Sequence, residues 1–264
     1  MTIDWPAFIE NGGVLPDDLD AEQAMLELSE MVRSPDPVVR DKLGYIAMLR
    51  LLPQLDASLR RRLGATMVER FADPEIQART FAPLVLDALV SDGEFDPQWL
   101  AAFEAWYPNE QDLRGHDPDR GWLHAVAHGA DLLGSFGRHP KVDPERMLSL
   151  AARRLLAKTE YVLRDQEDDR LACALALTLT REELTETTSV AWLAPIATDF
   201  ENGDSGPVPP HATNTMRTLR MLYLLVDRGV RPGWSKGETE QVRHREIVKQ
   251  RLAEVLAFVA PFAG

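Results

Sequence analysis

A single cysteine, Cys173, leaves this chain without an intramolecular disulfide, so no such cross-link supports its fold. It lies in the apolar run Leu171-Ala172-Cys173-Ala174-Leu175, where a small buried thiol is the default reading, and one free thiol suits a reducing cytoplasm. Positive charge is also scarce: 29 lysines and arginines stand against 42 aspartates and glutamates, a net charge of −13. That balance repels phosphate backbones and anionic lipid surfaces, which excludes a nucleic-acid grip through a general basic surface. Arg60-Arg61-Arg62 is a local basic cluster, but it falls in an amphipathic helix and reads as the solvated face. Long apolar runs are missing too, and Met221-Leu222-Tyr223-Leu224-Leu225-Val226 is far too short to span a bilayer. The start, Met1-Thr2-Ile3-Asp4-Trp5-Pro6, has no basic region followed by an apolar core, so no secretory leader is expected. A soluble, cytoplasmic protein with neither nucleic-acid nor membrane partners is the expectation.

Strand-like alternation is likewise absent, whereas helical periodicity runs through nearly every segment. Leu19 to Arg33 carries Ala24, Leu28 and Met31 at helical spacing and stops at Ser34-Pro35-Asp36-Pro37. There Asp36 caps a second helix and Pro37 occupies its first turn, and Val39, Leu43, Ile46, Ala47 and Leu51 continue it. Further helices are predicted over residues 58–71, 96–106, 118–136, 144–158, 167–180, 182–197, 213–227 and 238–259, with Asp73-Pro74 restarting the pattern after the first. The stretch from Glu201 to His211 is rich in Gly and Pro and gives the longest loop signal, readable as a connector or as a lid.

Two helix starts can be superposed. Asp36-Pro37-Val38-Val39-Arg40 aligns with Asp73-Pro74-Glu75-Ile76-Gln77, and Met48 to Leu52 aligns with Val85 to Leu89, an offset of 37 residues. A period of that size, with a capping Asp-Pro, resembles HEAT-type repeats. The reading is therefore all-α: an irregular HEAT-like solenoid of antiparallel helix pairs, with no composition shift to mark a boundary, hence one domain over residues 1–264. An irregular helical bundle is the alternative.

The segment from Asp117 to Asp131 concentrates the polar chemistry. If residues 118–136 form one helix, Gly121, His124, His128, Asp131 and Ser135 share one stripe, opposite Trp122, Leu123, Val126 and Leu133. His124 and His128, at i and i+4, are spaced to share a zinc-sized cation, with Asp131 as a third ligand. Ala125 stands where the zinc-protease pattern requires Glu, so that class is excluded. Three readings stay open: a buried hydrogen-bond network, a ligand or catalytic site without metal, and a site for zinc or another divalent metal. Asp119 and Arg120 open the same segment. Glu167-Asp168-Asp169-Arg170 is the second polar concentration, which either stabilises a helix start or faces the histidines. His116, His139 and His211 lie in predicted loops and carry no signal of their own.

Asp119 to Leu133 resembles the signature of the bacterial family called domain of unknown function 2785. Glu167 to Ala172 resembles its second shared block, and Asn214 with Leu219-Arg220-Met221-Leu222-Tyr223 its third. The resemblance implies an all-helical fold and a shared polar set of Arg120, Trp122, His124, His128, Asp131, Glu167 and Arg170, without implying a substrate. With Asp119, Asp168 and Asn214 added, these are the candidate binding residues. Two function classes follow. One is a binding protein that presents the His/Asp stripe to a peptide, protein or small molecule in a concave groove. The other is an enzyme of hydrolytic or acid–base chemistry, with or without zinc, at the same residues. No nucleophile–base pair or phosphate loop is visible, which favours binding.

Overall fold

Aspartates at loop ends start several of the helices. Asp4, Asp20, Asp56 and Asp143 each accept a backbone N–H from the first helical turn with a side-chain oxygen, satisfying donors the helix leaves open. The computed structural model describes residues 3–16, 19–203, 206–232, 238–260 and 262. Among them the fold is all-helical but for one short hairpin and an isolated bridge, and no helix is long and apolar enough to cross a membrane. Where the sequence marks no boundary, the chain divides into two compact units. One holds the residues up to Trp106 with Arg114–Leu132, the other Tyr107–Leu113 with the residues from Leu133 onward.

The first unit contains α1 (Trp5–Glu10), α2 (Ala21–Met31), a π-helical stretch (Val38–Tyr45) continuing into α3 (Ile46–Leu51), α4 (Ala57–Arg70), α5 (Ile76–Ser91) and α6 (Pro97–Trp106). It also holds the hairpin of β1 (His116–Asp117) and β2 (Gly121–Trp122) and the start of α7 (Ala125–Arg138). α2 packs on the π-helical stretch, and α4 packs on α5 and α6. Met25, Leu28, Met48, Leu51, Leu63, Met67, Leu86 and Phe103 are sealed from solvent, each large side chain contributing about 1.5–3 kcal/mol by burial. Gly64 is required by packing: a Cβ there would lie 2.0 Å from the Trp99 ring.

The second unit contains the rest of α7, then α8 (Pro144–Leu156), α9 (Glu167–Thr178), α10 (Glu186–Ala191), α11 (Ala194–Glu201), α12 (Pro210–Arg228) and α13 (Arg245–Ala257). α12 is its central helix and packs against α8, α9 and α13. Two of its arginines serve the backbone: the buried Arg154 donates to the carbonyls of Tyr107 and Glu110 at 2.9 and 3.0 Å. Burial lowers the pKa of Arg154 from its ordinary value, while Tyr107 and Glu110 oppose that shift. Arg181 likewise donates to the carbonyls of Gly137 and His139.

Several predicted boundaries need correction. The helix expected over residues 182–197 breaks in two, because Thr185 and Thr188 cap α10 reciprocally and Pro195 fits only the first turn of a new helix, α11. The last helix begins at Arg245 and not near Glu238, since Gly229 ends α12 at φ +88° and Val230 pairs with Glu240 in an antiparallel bridge. α1 was not expected, although Asp4 caps it and Pro6 lies in its first turn. Within the expected loop from Glu201 to His211, Pro210 and His211 already belong to α12, and Asp204 and Ser205 lie outside the described residues.

Candidate functional site

The segment read as the start of a long helix folds first as a hairpin. Asp117-Pro118-Asp119-Arg120 is a turn with proline at its second position. Asp117 Oδ1 accepts the N–H groups of Asp119 and Arg120, both at 3.0 Å, while Arg114 pairs with its other oxygen. Those two backbone bonds, led by that of Arg120, hold the Asp117 carboxyl below the ordinary aspartate range. His116 pairs with Trp122 and Asp117 with Gly121 across the antiparallel strands. Gly121 has φ +71°, and a Cβ on it would stand 2.8 Å from Pro37 Cβ, so a side chain is excluded twice over.

Arg40 anchors the hairpin from the π-helical stretch. Its guanidinium is fully buried and donates to the carbonyls of Arg120 at 2.7 Å, Trp122 at 3.2 Å and Ser34 at 3.2 Å. Nε stands 2.7 Å from Asp41 Oδ1 as an ion pair without hydrogen-bond alignment, and the cation lies 4.7 Å above the Phe81 ring. Burial raises the Asp41 pKa, against the pull of Arg40.

Rings then follow one another through the unit. His116 meets Trp122 edge to face at 4.8 Å, and Trp122 lies nearly parallel to His124 at 4.4 Å and 5°. His124 stands 5.6 Å from His128, which meets Phe81 edge to face at 5.2 Å. Trp122 keeps 45% of its surface exposed, whereas His128 is 7% exposed. His124 holds φ +51°, an unfavourable region for a residue with a side chain, and its carbonyl accepts the His128 N–H at 2.9 Å to start α7. His128 Nδ1 lies 2.9 Å from the Thr80 carbonyl oxygen. A carbonyl only accepts, so Nδ1 carries the proton and the neutral ring has its lone pair on Nε2. Pro83, in α5, removes the donor that would bond the carbonyl of Arg79, one residue before Thr80.

In the second unit, Gln166 takes a left-handed conformation at φ +67° and places Glu167, Asp168 and Asp169 in the first turn of α9. Glu167 is buried and accepts the Asp165 N–H at 2.9 Å. Asp168 is buried and pairs with Arg217 Nε at 2.7 Å. Burial raises its pKa while Arg217 opposes that shift. Asn214 is also buried; it accepts from Leu163 N and donates to the Tyr161 carbonyl, both at 2.9 Å, and Arg217 donates to the Leu163 carbonyl. The loop before α9 is thus tied to α12.

The family described as "Protein of unknown function (DUF2785)" matches residues 66–224, more than half of the chain. The chain belongs to this family. Comparison with curated proteins and with solved structures gives no match. The span shared with DUF2785 holds every candidate residue of the sequence reading together with Thr80 and Phe81, whereas Arg40, which anchors the hairpin, precedes it.

Within this DUF2785 chain the helical stripe is corrected. α7 starts only at Ala125, so Gly121 and Trp122 leave the helix and His124 precedes its first residue. Trp122, expected on the opposite side from the histidines, lies against His124. The expectation of no strand fails at this same hairpin. Asp119 and Arg120 contribute backbone groups to the turn. His124, His128 and Asp131 belong to the first unit, and Glu167, Asp168, Arg170 and Asn214 to the second. Among the described residues no three His, Cys, Asp or Glu side chains are grouped so as to hold a metal ion.

Sequence reasoning missed three histidine environments. His116 joins the ring series through the hairpin, for which Asp-Pro-Asp-Arg-Gly was the available signal. His139 Nδ1 accepts the Lys141 N–H. His211 is buried in the first turn of α12, with Nε2 at 2.8 Å from Lys158 Nζ and 3.2 Å from Asp199 Oδ2. Burial raises the Asp199 pKa, but hydrogen bonds from Lys158 and His211 outweigh it and leave the pKa below its ordinary value. Nothing local in the sequence brings residues 158, 199 and 211 together.

Proposed function

We propose that this DUF2785 chain is a binding protein whose platform is the half-exposed indole of Trp122, backed by His124. One observation carries the reading: a parallel Trp122–His124 stack at 4.4 Å on a histidine whose backbone sits at φ +51°. A non-glycine residue in that region costs about 1–3 kcal/mol, and the surrounding hairpin, fixed by Arg40, Asp117 and Gly121, supports it. An indole fixed at one face by an imidazole and edged by His116 suits a ligand that brings a flat aromatic group or a cation to its remaining surface. The ligand class is a peptide or a small molecule.

The helical pairs of the first unit read best as HEAT-like repeats. Asp36 and Asp73, 37 residues apart, each accept the N–H two residues on, at 2.8 and 2.9 Å. The equivalent polar residues Arg40 and Gln77 are both buried, as are Met48 and Val85. A bacterial cytoplasmic setting accords with the lone thiol, and the charge of −13 argues against nucleic acid as the ligand.

Saturation-transfer NMR with a mixture of aromatic and tetraalkylammonium fragments, whose cation has no hydrogen-bond donor, tests the proposal. Fragments should bind the wild-type protein and lose their signal in Trp122→Ala. Equal signals in both proteins, or none in the wild type, would reject the platform.

A further inference from the structure

A groove in the first unit, apart from the ring series, has the chemistry of a cation site. It has a volume of about 770 Å³ and is lined by carboxylates of Glu27, Glu30 and Glu75, with Met31, Pro35 and Val39 among its apolar wall residues. Among the described residues its one lining cation, Arg33, is already paired with Asp73 at 2.8 Å. Glu30 is largely neutralised by Arg70 at 2.6 Å. Among the described residues Glu27 receives a neutral donor, Trp5 Nε1 at 2.7 Å, and Glu75 receives the Gln77 amide at 3.3 Å, with Arg33 acting on Glu75 through space and not as an ion pair. The attraction for a cation therefore comes from Glu27 and Glu75.

Gln77 gives the second, independent indication. It lines the groove, is 1% exposed, and its Oε1 has no hydrogen-bond partner among the described residues. The contact of Nε2 with Glu75 fixes the amide orientation, since a flip would set oxygen against carboxylate. A buried acceptor without a donor is costly. The group that satisfies it beside a carboxylate is a cationic donor.

We propose that this groove binds a guanidinium on an alkyl stem. The head would take Gln77 Oε1 and the Glu75 carboxylate, and the stem would lie along Met31, Pro35 and Val39. A guanidinium offers five donors in one plane, enough to serve an amide oxygen and a carboxylate together, and its stem packs on apolar surface. The same chemistry is presented by an arginine side chain in a peptide and by a free alkylguanidine.

Calorimetric titration of the full chain with acetyl-Gly-Arg-Gly-amide, with agmatine, and with the citrulline version of the peptide tests this. At least one guanidinium probe should bind and the citrulline peptide should not. Binding by the peptide alone identifies a peptide ligand, and binding by agmatine alone a small molecule. Gln77→Met and Glu75→Gln should each weaken binding about tenfold or more. Gln77→Met also removes the orphan oxygen, so it should not lower the melting temperature, which keeps the test separate from loss of fold. No binding by either guanidinium probe, equal binding of citrulline, or unchanged affinity in both variants would overturn the proposal.

Discussion

The His124 imidazole lies face to face with the Trp122 indole, ring centres 4.4 Å apart and planes 5° from parallel. Two neighbouring turns of one helix would not set positions i and i+2 face to face, since they point to different sides. The contact exists because the chain leaves the hairpin through a residue at φ +51° before α7 begins. Backbone conformation, and not helical spacing, makes the site.

Gly121→Ala tests the hairpin. An added Cβ meets Pro37 at 2.8 Å and occupies φ +71°. A loss of about 1–3 kcal/mol is expected, read as a lower denaturation midpoint with an unchanged m-value. Trp122 emission should shift at the same time.

Arg40→Met tests the anchor. The substitution keeps much of the apolar volume but strands the carbonyls of Arg120 and Trp122 and leaves Asp41 without its cation. Breaking a buried charged network of this kind costs about 3–5 kcal/mol, measurable by chemical denaturation.

Acid should loosen the hairpin through Asp117. Its folded pKa lies below its ordinary value because its carboxylate accepts two backbone N–H groups. The stabilisation is thus complete above the unfolded aspartate value of about 3.9. It is lost as pH falls through the folded value. The difference in emission between wild type and Trp122→Phe should track this change, and Asp117→Asn should remove it.

Asn214→Ala should free the loop before α9. The variant removes bonds to Leu163 N and the Tyr161 carbonyl inside the second unit. A cost of about 1–3 kcal/mol is expected, with hydrogen exchange accelerated over residues 159–166 and little changed in α4 to α6.

Much of the fold was legible because helices announce themselves locally. Apolar spacing places α2, α4, α6, α8 and α9 close to their observed spans. Asp36 and Asp73 each accept the N–H two residues on, but they stand ahead of the cap positions, which Pro37 and Glu75 occupy. Legibility failed where one turn outweighed periodicity. Asp117-Pro118-Asp119-Arg120-Gly121 carries turn chemistry, yet the regular spacing of His124, His128 and Asp131 invites a helix drawn back through it. The partners of the site were beyond reach for another reason: Arg40, Thr80 and Phe81 meet residues 120–128 only through tertiary packing. Lys158, Asp199 and His211 are likewise remote in sequence.

The central claim, that His124 serves recognition more than stability, is tested most directly by His124→Gly. Glycine relieves the positive φ while removing the ring, two effects of similar size and opposite sign, so stability should stay within about 1 kcal/mol of wild type. Trp122-dependent fragment signals in saturation-transfer NMR should weaken or vanish in the same protein. A loss of stability above about 2 kcal/mol, outside what losing one ring stack explains, with those signals unchanged, would contradict the account and make the stack a structural brace.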